Sequence, residues 1–188
     1  MAANTIEGYL HWISPKPGDP TYSLLKAHLL LEDLLRAYLA KTLPHPEALK
    51  DARLTFVQLL AVARSCCIAA PPDHWMWKAI ADLNKLRNML SHEAAPKDLA
   101  RKITEYAKFV ATQSKVPFPP PESSNAGCGL STSGQHLFGL ADIATLGLYI
   151  EATSNLGFDV RTFVGAEATR ESEVAATLNP GSSSSCAG

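Results

Sequence analysis

One stretch of the sequence decides the fold: HWMWKAIADLNKLRNMLSHEAA, residues 74–95. Its apolar residues recur at the alternating spacing of four and three that is typical of one helix face, at Met76, Ile80, Leu83 and Leu90. The position that would continue this face between Leu83 and Leu90 holds Arg87. Because an arginine is rarely buried without a partner, we expect a carboxylate, a phosphate or a second subunit to meet Arg87.

Four further helices are predicted around this stretch, because apolar residues recur at helical spacing in segments that prolines and capping residues separate. They span residues 21–43, residues 46 to about 68, residues 97 to about 114, and residues 137–154. No segment shows the pattern of a strand. Since the connections between the first four helices are short, we predict an all-α antiparallel bundle of four to five helices.

Composition divides the chain into a helical part and a part of different character. We predict a bundle over residues 1–114, a Pro-, Gly- and Ser-rich linker over 115–136, a helix over 137–156 that docks on the bundle or on a partner, and a mostly flexible tail over 157–188. The function of the part beyond the bundle is left open by its sequence.

Charge and cysteine content narrow the class of protein. The chain has 17 basic and 18 acidic residues and a net charge of −1, so a nucleic acid would have to be bound by a local patch. The four cysteines have no metal-ligand spacing and suit free thiols in a reducing compartment. No apolar run reaches the ~18 residues of a membrane span. We therefore expect a cytoplasmic protein with no membrane partner, no metal and no other cofactor.

Arg87 and His92 are the residues most suited to chemistry. They are five positions apart, which on a helix is ~7.5 Å of rise and about 140° of rotation, so they do not share a face. Two copies related by a two-fold axis could bring both side chains of each chain into one cleft. His92 lies in the last turn of its helix, where the helix dipole favours positive charge. An imidazole that moves protons and a guanidinium that binds phosphate oxygens suit phosphoryl chemistry.

The motif formed by Arg87, Asn88, three spacers and His92 resembles that of the HEPN superfamily, in which it lies late in the third helix of a small bundle. The segments 30–35 and 83–86 also resemble helices of that family, and the resemblance covers about residues 21–114. It implies a metal-independent endoribonuclease that is active as a homodimer, with a composite active site at the dimer interface.

The resemblance also implies a mechanism and a setting. The 2′-hydroxyl of RNA would attack the adjacent phosphate and leave a 2′,3′-cyclic phosphate, with His92 as general base or acid, Arg87 on the scissile phosphate and Asn88 orienting the site. Such proteins act as toxins of toxin–antitoxin pairs or in antiviral defence, under an antitoxin or another regulatory protein. In many members the antitoxin modifies a tyrosine two residues after the histidine. Here that position is Ala94, so the resemblance does not extend to this control.

A structural interpretation of the same residues stays open at this point. Glu32 and His28 are one helical turn apart among leucines of the first helix, and Glu32 could form a buried ion pair with Arg87. His28 could equally be a hydrogen-bonded core histidine. The corresponding alternative function is a non-catalytic helical regulator, accessory subunit or dimerisation module. The near-neutral charge favours this alternative, whereas the arginine on an apolar face favours the enzyme.

Overall fold

The computed structural model describes residues 20–49, 52–92, 98–114 and 140–159. Across these ranges all regular structure is helical and no strand occurs, in agreement with the predicted all-α class. The helices are α1 (Pro20–Thr42), α2 (Phe56–Cys66), α3 (Trp75–His92), α4 (Leu99–Gln113) and α5 (Leu140–Asn155), with a short 3₁₀ helix at Pro46–Leu49. The predicted linker over 115–136 and all but the first three residues of the predicted tail over 157–188 lie outside the described residues.

The second helix begins later than the sequence prediction places it. A single 3₁₀ turn follows Pro46, Arg53 has a positive φ of 37°, and α2 starts only at Phe56. Thr55 and Gln58 fix this start with a capping box, in which each side chain accepts a hydrogen bond from the backbone N–H of the other residue. The predicted start at Pro46 is therefore wrong, and the Thr-x-x-Gln pattern is the signal that marks the true one.

Contacts at both ends of α2 show its direction relative to α1. The His28 ring of α1 lies 4.2 Å, centroid to centroid, from the ring of Phe56 at the start of α2. Farther along α1, the Tyr38 hydroxyl donates to the Cys66 carbonyl at 3.0 Å, at the end of α2. The two helices thus run in the same direction, so the prediction of antiparallel neighbours is wrong for this pair. The connection that holds the 3₁₀ turn carries the chain back before α2 begins.

Helix α3 runs against α4, as predicted. Lys78 near the start of α3 places its Nζ 4.1 Å from the ring centre of Phe109, near the end of α4. Near the other ends of the two helices, Nζ of Lys102 lies 3.3 Å from Sδ of Met89. The carboxyl end of α3 therefore lies beside the amino end of α4.

Helix α5 packs on α1 and α4 and completes the core. The Ser23 hydroxyl of α1 donates to the Asp142 carboxylate near the start of α5, and Lys41 donates to the Gly157 carbonyl, just beyond the end of α5, at 3.1 Å. These contacts make α5 parallel to α1. Within the described ranges no helix is both long and apolar enough to cross a membrane.

The predicted apolar face of α3 lies in this core. Met76, Ile80 and Leu83 are fully buried, whereas Leu90 is half-buried near the end of the helix. Helix α1 supplies five of the largest fully buried side chains: Leu24, Leu31, Leu34, Leu35 and Leu39. Burial of apolar area at about 25 cal/mol per Å² is the main term that holds the helices together. The last turns of α3 extend beyond the most deeply buried part of this core, and they carry the predicted motif.

Candidate functional site

Polar side chains of α1 and α3 meet between the two helices. His28 is only 4% exposed, and its Nε2 donates to Oδ1 of Asn84 at 3.0 Å. Asn84 is itself 8% exposed. Because both groups are buried and each supplies the other with a hydrogen bond, His28 is a hydrogen-bonded core histidine that joins α1 to α3.

Charged neighbours on both helices act on His28. Burial lowers the pKa of His28 below its usual value and the positive charge of Arg87 lowers it further, while the hydrogen bond with Asn84 and the negative charge of Glu32 oppose this. The net effect is a lowered pKa. Arg87 and Glu32 are therefore near enough to influence His28, and the α1–α3 interface brings together four of the polar groups: His28, Glu32, Asn84 and Arg87.

Arg87 does not form the ion pair with Glu32 that the sequence leaves open. The Glu32 carboxylate accepts from Arg36, one turn away on α1, at 2.7 Å. The half-buried Arg87 donates from Nη1 to Oδ1 of Asn88 at 3.1 Å. Among the described residues no carboxylate lies within ion-pair distance of Arg87. The structural interpretation through Glu32 is thus wrong, and the charge of Arg87 is not neutralised within this part of the chain.

His92 is the last residue of α3 and is exposed to solvent. The helix is continuous from Arg87 to His92, and the Ser91 hydroxyl donates to the Arg87 carbonyl at 3.0 Å. Five helical positions thus separate Arg87 from His92, so about 140° of rotation keeps them apart within one chain. Asn88 lies between them, one turn before His92. Ala94 lies outside the described residues.

Asn84 is the member of this cluster that the sequence prediction missed. It lies three positions before Arg87 and four before Asn88, which places the three on one side of α3. The same spacing of four relates His28 to Glu32 on α1. Each of the two helices thus carries a pair of polar residues four positions apart, Asn84 with Asn88 and His28 with Glu32. Because the helices are predicted to pack together, this shared spacing could have indicated Asn84 as a partner for His28.

The buried state of His28 leads to a prediction about pH. In the unfolded chain a histidine has a pKa near 6.5, and in the folded protein the pKa of His28 is lower. As the pH falls below about 6.5 the unfolded chain therefore binds a proton that the folded protein does not, and the free energy of unfolding decreases until the pH is below the folded pKa. Urea denaturation at several pH values should show this decrease, and His28→Gln should reduce it.

A matched control separates His28 from other histidines. The side chain of His45 is 84% exposed, so His45→Gln should keep the pH dependence of the wild type. If His28→Gln also shows the full wild-type pH dependence, then the buried His28 does not cause the decrease in the free energy of unfolding at low pH.

Comparisons with protein-family models, curated proteins and solved structures found no match to this chain. Within the described ranges no group of three or more His, Cys, Asp or Glu side chains is placed to hold a metal ion.

Proposed function

We propose that this protein is a metal-independent endoribonuclease of the HEPN type. The observation that carries the proposal is the state of Arg87: a half-buried guanidinium, held by Asn88, with no carboxylate partner among the described residues. An unpaired, half-buried cation is stabilised by an anionic ligand, and the planar guanidinium is suited to bind the oxygens of a phosphate.

The reaction we propose uses only the RNA and this chain. The 2′-oxygen attacks the adjacent phosphorus as its proton passes to a base, and the bond from phosphorus to the 5′-oxygen breaks as that oxygen takes a proton. The products are a 2′,3′-cyclic phosphate and a 5′-hydroxyl. Arg87 binds the phosphate oxygens, where negative charge grows in the transition state, Asn88 positions the guanidinium, and His92 transfers protons.

The proposed active species is a homodimer. Arg87 and His92 of one chain lie about 140° apart around α3, so a second copy has to supply the complementary group to a shared cleft. With a His92 from each chain in that cleft, one imidazole can accept the proton while the other donates one. His28 and Glu32 support the site indirectly through α1. We place the protein in the cytoplasm as a toxin or antiviral effector under a separate antitoxin or regulatory protein.

Cleavage of RNA in the presence of EDTA tests this function. The purified full chain should cut RNA and leave 2′,3′-cyclic phosphate ends, His92→Ala should abolish the reaction, and the exposed His45→Ala should not. Intact RNA at a protein concentration that gives a folded dimer would count against the enzyme.

One observation favours a second candidate, a non-catalytic helical regulator or dimerisation module. His28 and Asn84 satisfy each other within the α1–α3 interface, so part of the polar cluster has a structural role without any ligand. This candidate would be supported by a folded dimer that does not cut RNA and whose other activities are unchanged by His92→Ala.

A further inference from the structure

A cleft of about 290 Å³ opens between α3 and α4, on the flank of α3 that faces α4 and not α1. Its lining combines lysines, acidic residues and apolar side chains: Lys78, Asp82, Lys85, Leu86, Met89, Lys102, Glu105, Tyr106 and Phe109. Ligand pockets for small molecules begin at about this volume. The charges and hydrogen bonds of the lining show what kind of molecule the cleft suits.

Tyr106 lines the cleft and carries an unsatisfied hydrogen-bond donor. The residue is 4% exposed, and its hydroxyl has no hydrogen-bond partner within the described part of the chain. The nearby Asp82 is not a hydrogen-bond partner of this hydroxyl; its oxygens accept from two lysines, Oδ2 from Lys78 at 2.5 Å and Oδ1 from Lys85 at 2.8 Å. Burial, and then the negative charge of Asp82, raise the pKa of Tyr106, so its hydroxyl keeps its proton. A buried donor of this kind lacks an acceptor.

Lys102 brings a positive charge that is equally poorly matched. Its Nζ contacts the thioether sulfur of Met89 at 3.3 Å, and a thioether is only a weak acceptor. The other carboxylate of the lining, Glu105, accepts from Arg101 at 2.6 Å. No carboxylate of the described residues lies within ion-pair distance of Lys102.

The described residues that line the cleft therefore carry a positive balance of charge. They include three lysine ammonium groups and two carboxylates, and of these carboxylates only Asp82 pairs with a lysine. Lys102 and Tyr106 are four positions apart on α4, so both side chains lie on the same side of that helix. Beside these donors Leu86 and Phe109 provide apolar surface for the rest of a ligand.

We propose that this cleft binds a small phosphorylated molecule, whose phosphate accepts hydrogen bonds from Lys102 and Tyr106 and whose organic part contacts Leu86 and Phe109. A phosphate fits better than a carboxylate because it offers more acceptor oxygens and more negative charge to the lysines, and lysine is a common phosphate ligand in proteins. The volume suits a single small molecule and not a polymer. The proposal does not rest on the ribonuclease function, since neither Lys102 nor Tyr106 belongs to the motif and Met89, which lines the cleft, is only a spacer within it.

Calorimetric titration of the full chain with phenyl phosphate tests the proposal. Benzoate is the matched carboxylate. We expect phenyl phosphate to bind and benzoate to bind at least about tenfold more weakly. Lys102→Met should weaken the binding of phenyl phosphate by about tenfold or more, because a charge-assisted hydrogen bond is lost. The control is Lys108→Met, which changes an exposed lysine of the same helix that does not line the cleft.

Tyr106→Phe separates binding from folding. Removing a buried hydroxyl that has no partner should leave the free protein as stable as the wild type or slightly more stable, while the affinity for phenyl phosphate falls. The proposal is overturned if phenyl phosphate does not bind, if benzoate binds as tightly, or if Lys102→Met and Tyr106→Phe bind as well as Lys108→Met.

Discussion

Arg87→Ala is expected to lower the rate of RNA cleavage by about a thousandfold, the upper part of the range for a lost transition-state donor. Its side chain makes only one hydrogen bond among the described residues, to Asn88, and no ion pair there. The free energy of unfolding should therefore change by less than about 1 kcal/mol. Single-turnover cleavage and urea denaturation of the same preparation measure the two effects.

Two variants control this experiment. Arg64→Ala removes an exposed arginine of α2 and should leave both the rate and the stability unchanged. Arg87→Lys keeps the charge but loses the planar group that can bind two phosphate oxygens, so it should restore only part of the rate. A structural role for Arg87 would show instead as a loss of several kcal/mol in stability that accounts for the lost activity.

Leu31→Ala is expected to have the largest effect on stability, a decrease of about 2–5 kcal/mol in the free energy of unfolding. Leu31 is fully buried in the core, so the substitution removes apolar contacts and leaves a cavity. Denaturation by urea, fitted with a common slope, measures the decrease.

The same helix offers a matched control. Leu29 lies two positions earlier on α1 and is 59% exposed, so Leu29→Ala should change the stability by only about 0.5 kcal/mol or less. If the two substitutions cost the same, the burial pattern assigned to α1 is wrong. A larger cost for Leu29→Ala in the dimer than in the monomer would instead place this face in an interface.

The sequence predicts helices best where packing makes the pattern regular. Met76, Ile80 and Leu83 follow the spacing of one helix face because α3 packs along its length, and all three are fully buried. The start of α2 and its direction were predicted wrongly. Pro46 suits the first turn of a helix, but only the capping box of Thr55 and the left-handed Arg53 show that the chain turns back first.

The candidate site was only partly predictable, for a physical reason. A carboxylate among leucines has more than one possible cation, and spacing within one helix favours the nearer. Glu32 binds Arg36, four positions away, in place of Arg87. The hydrogen bond between His28 and Asn84 depends on how α1 and α3 are aligned with each other. The residue pattern of either helix alone does not give this alignment.

The composite site is tested most directly by mixing two inactive chains, Arg87→Ala and His92→Ala, under conditions that let subunits exchange. If Arg87 of one chain acts with His92 of the other, half of the dimers will hold one intact Arg87 and one intact His92 in the shared cleft, and the mixture should cleave RNA measurably faster than either variant alone. A mixture that stays as inactive as each variant alone, although mixed dimers form, would contradict a site shared between two chains.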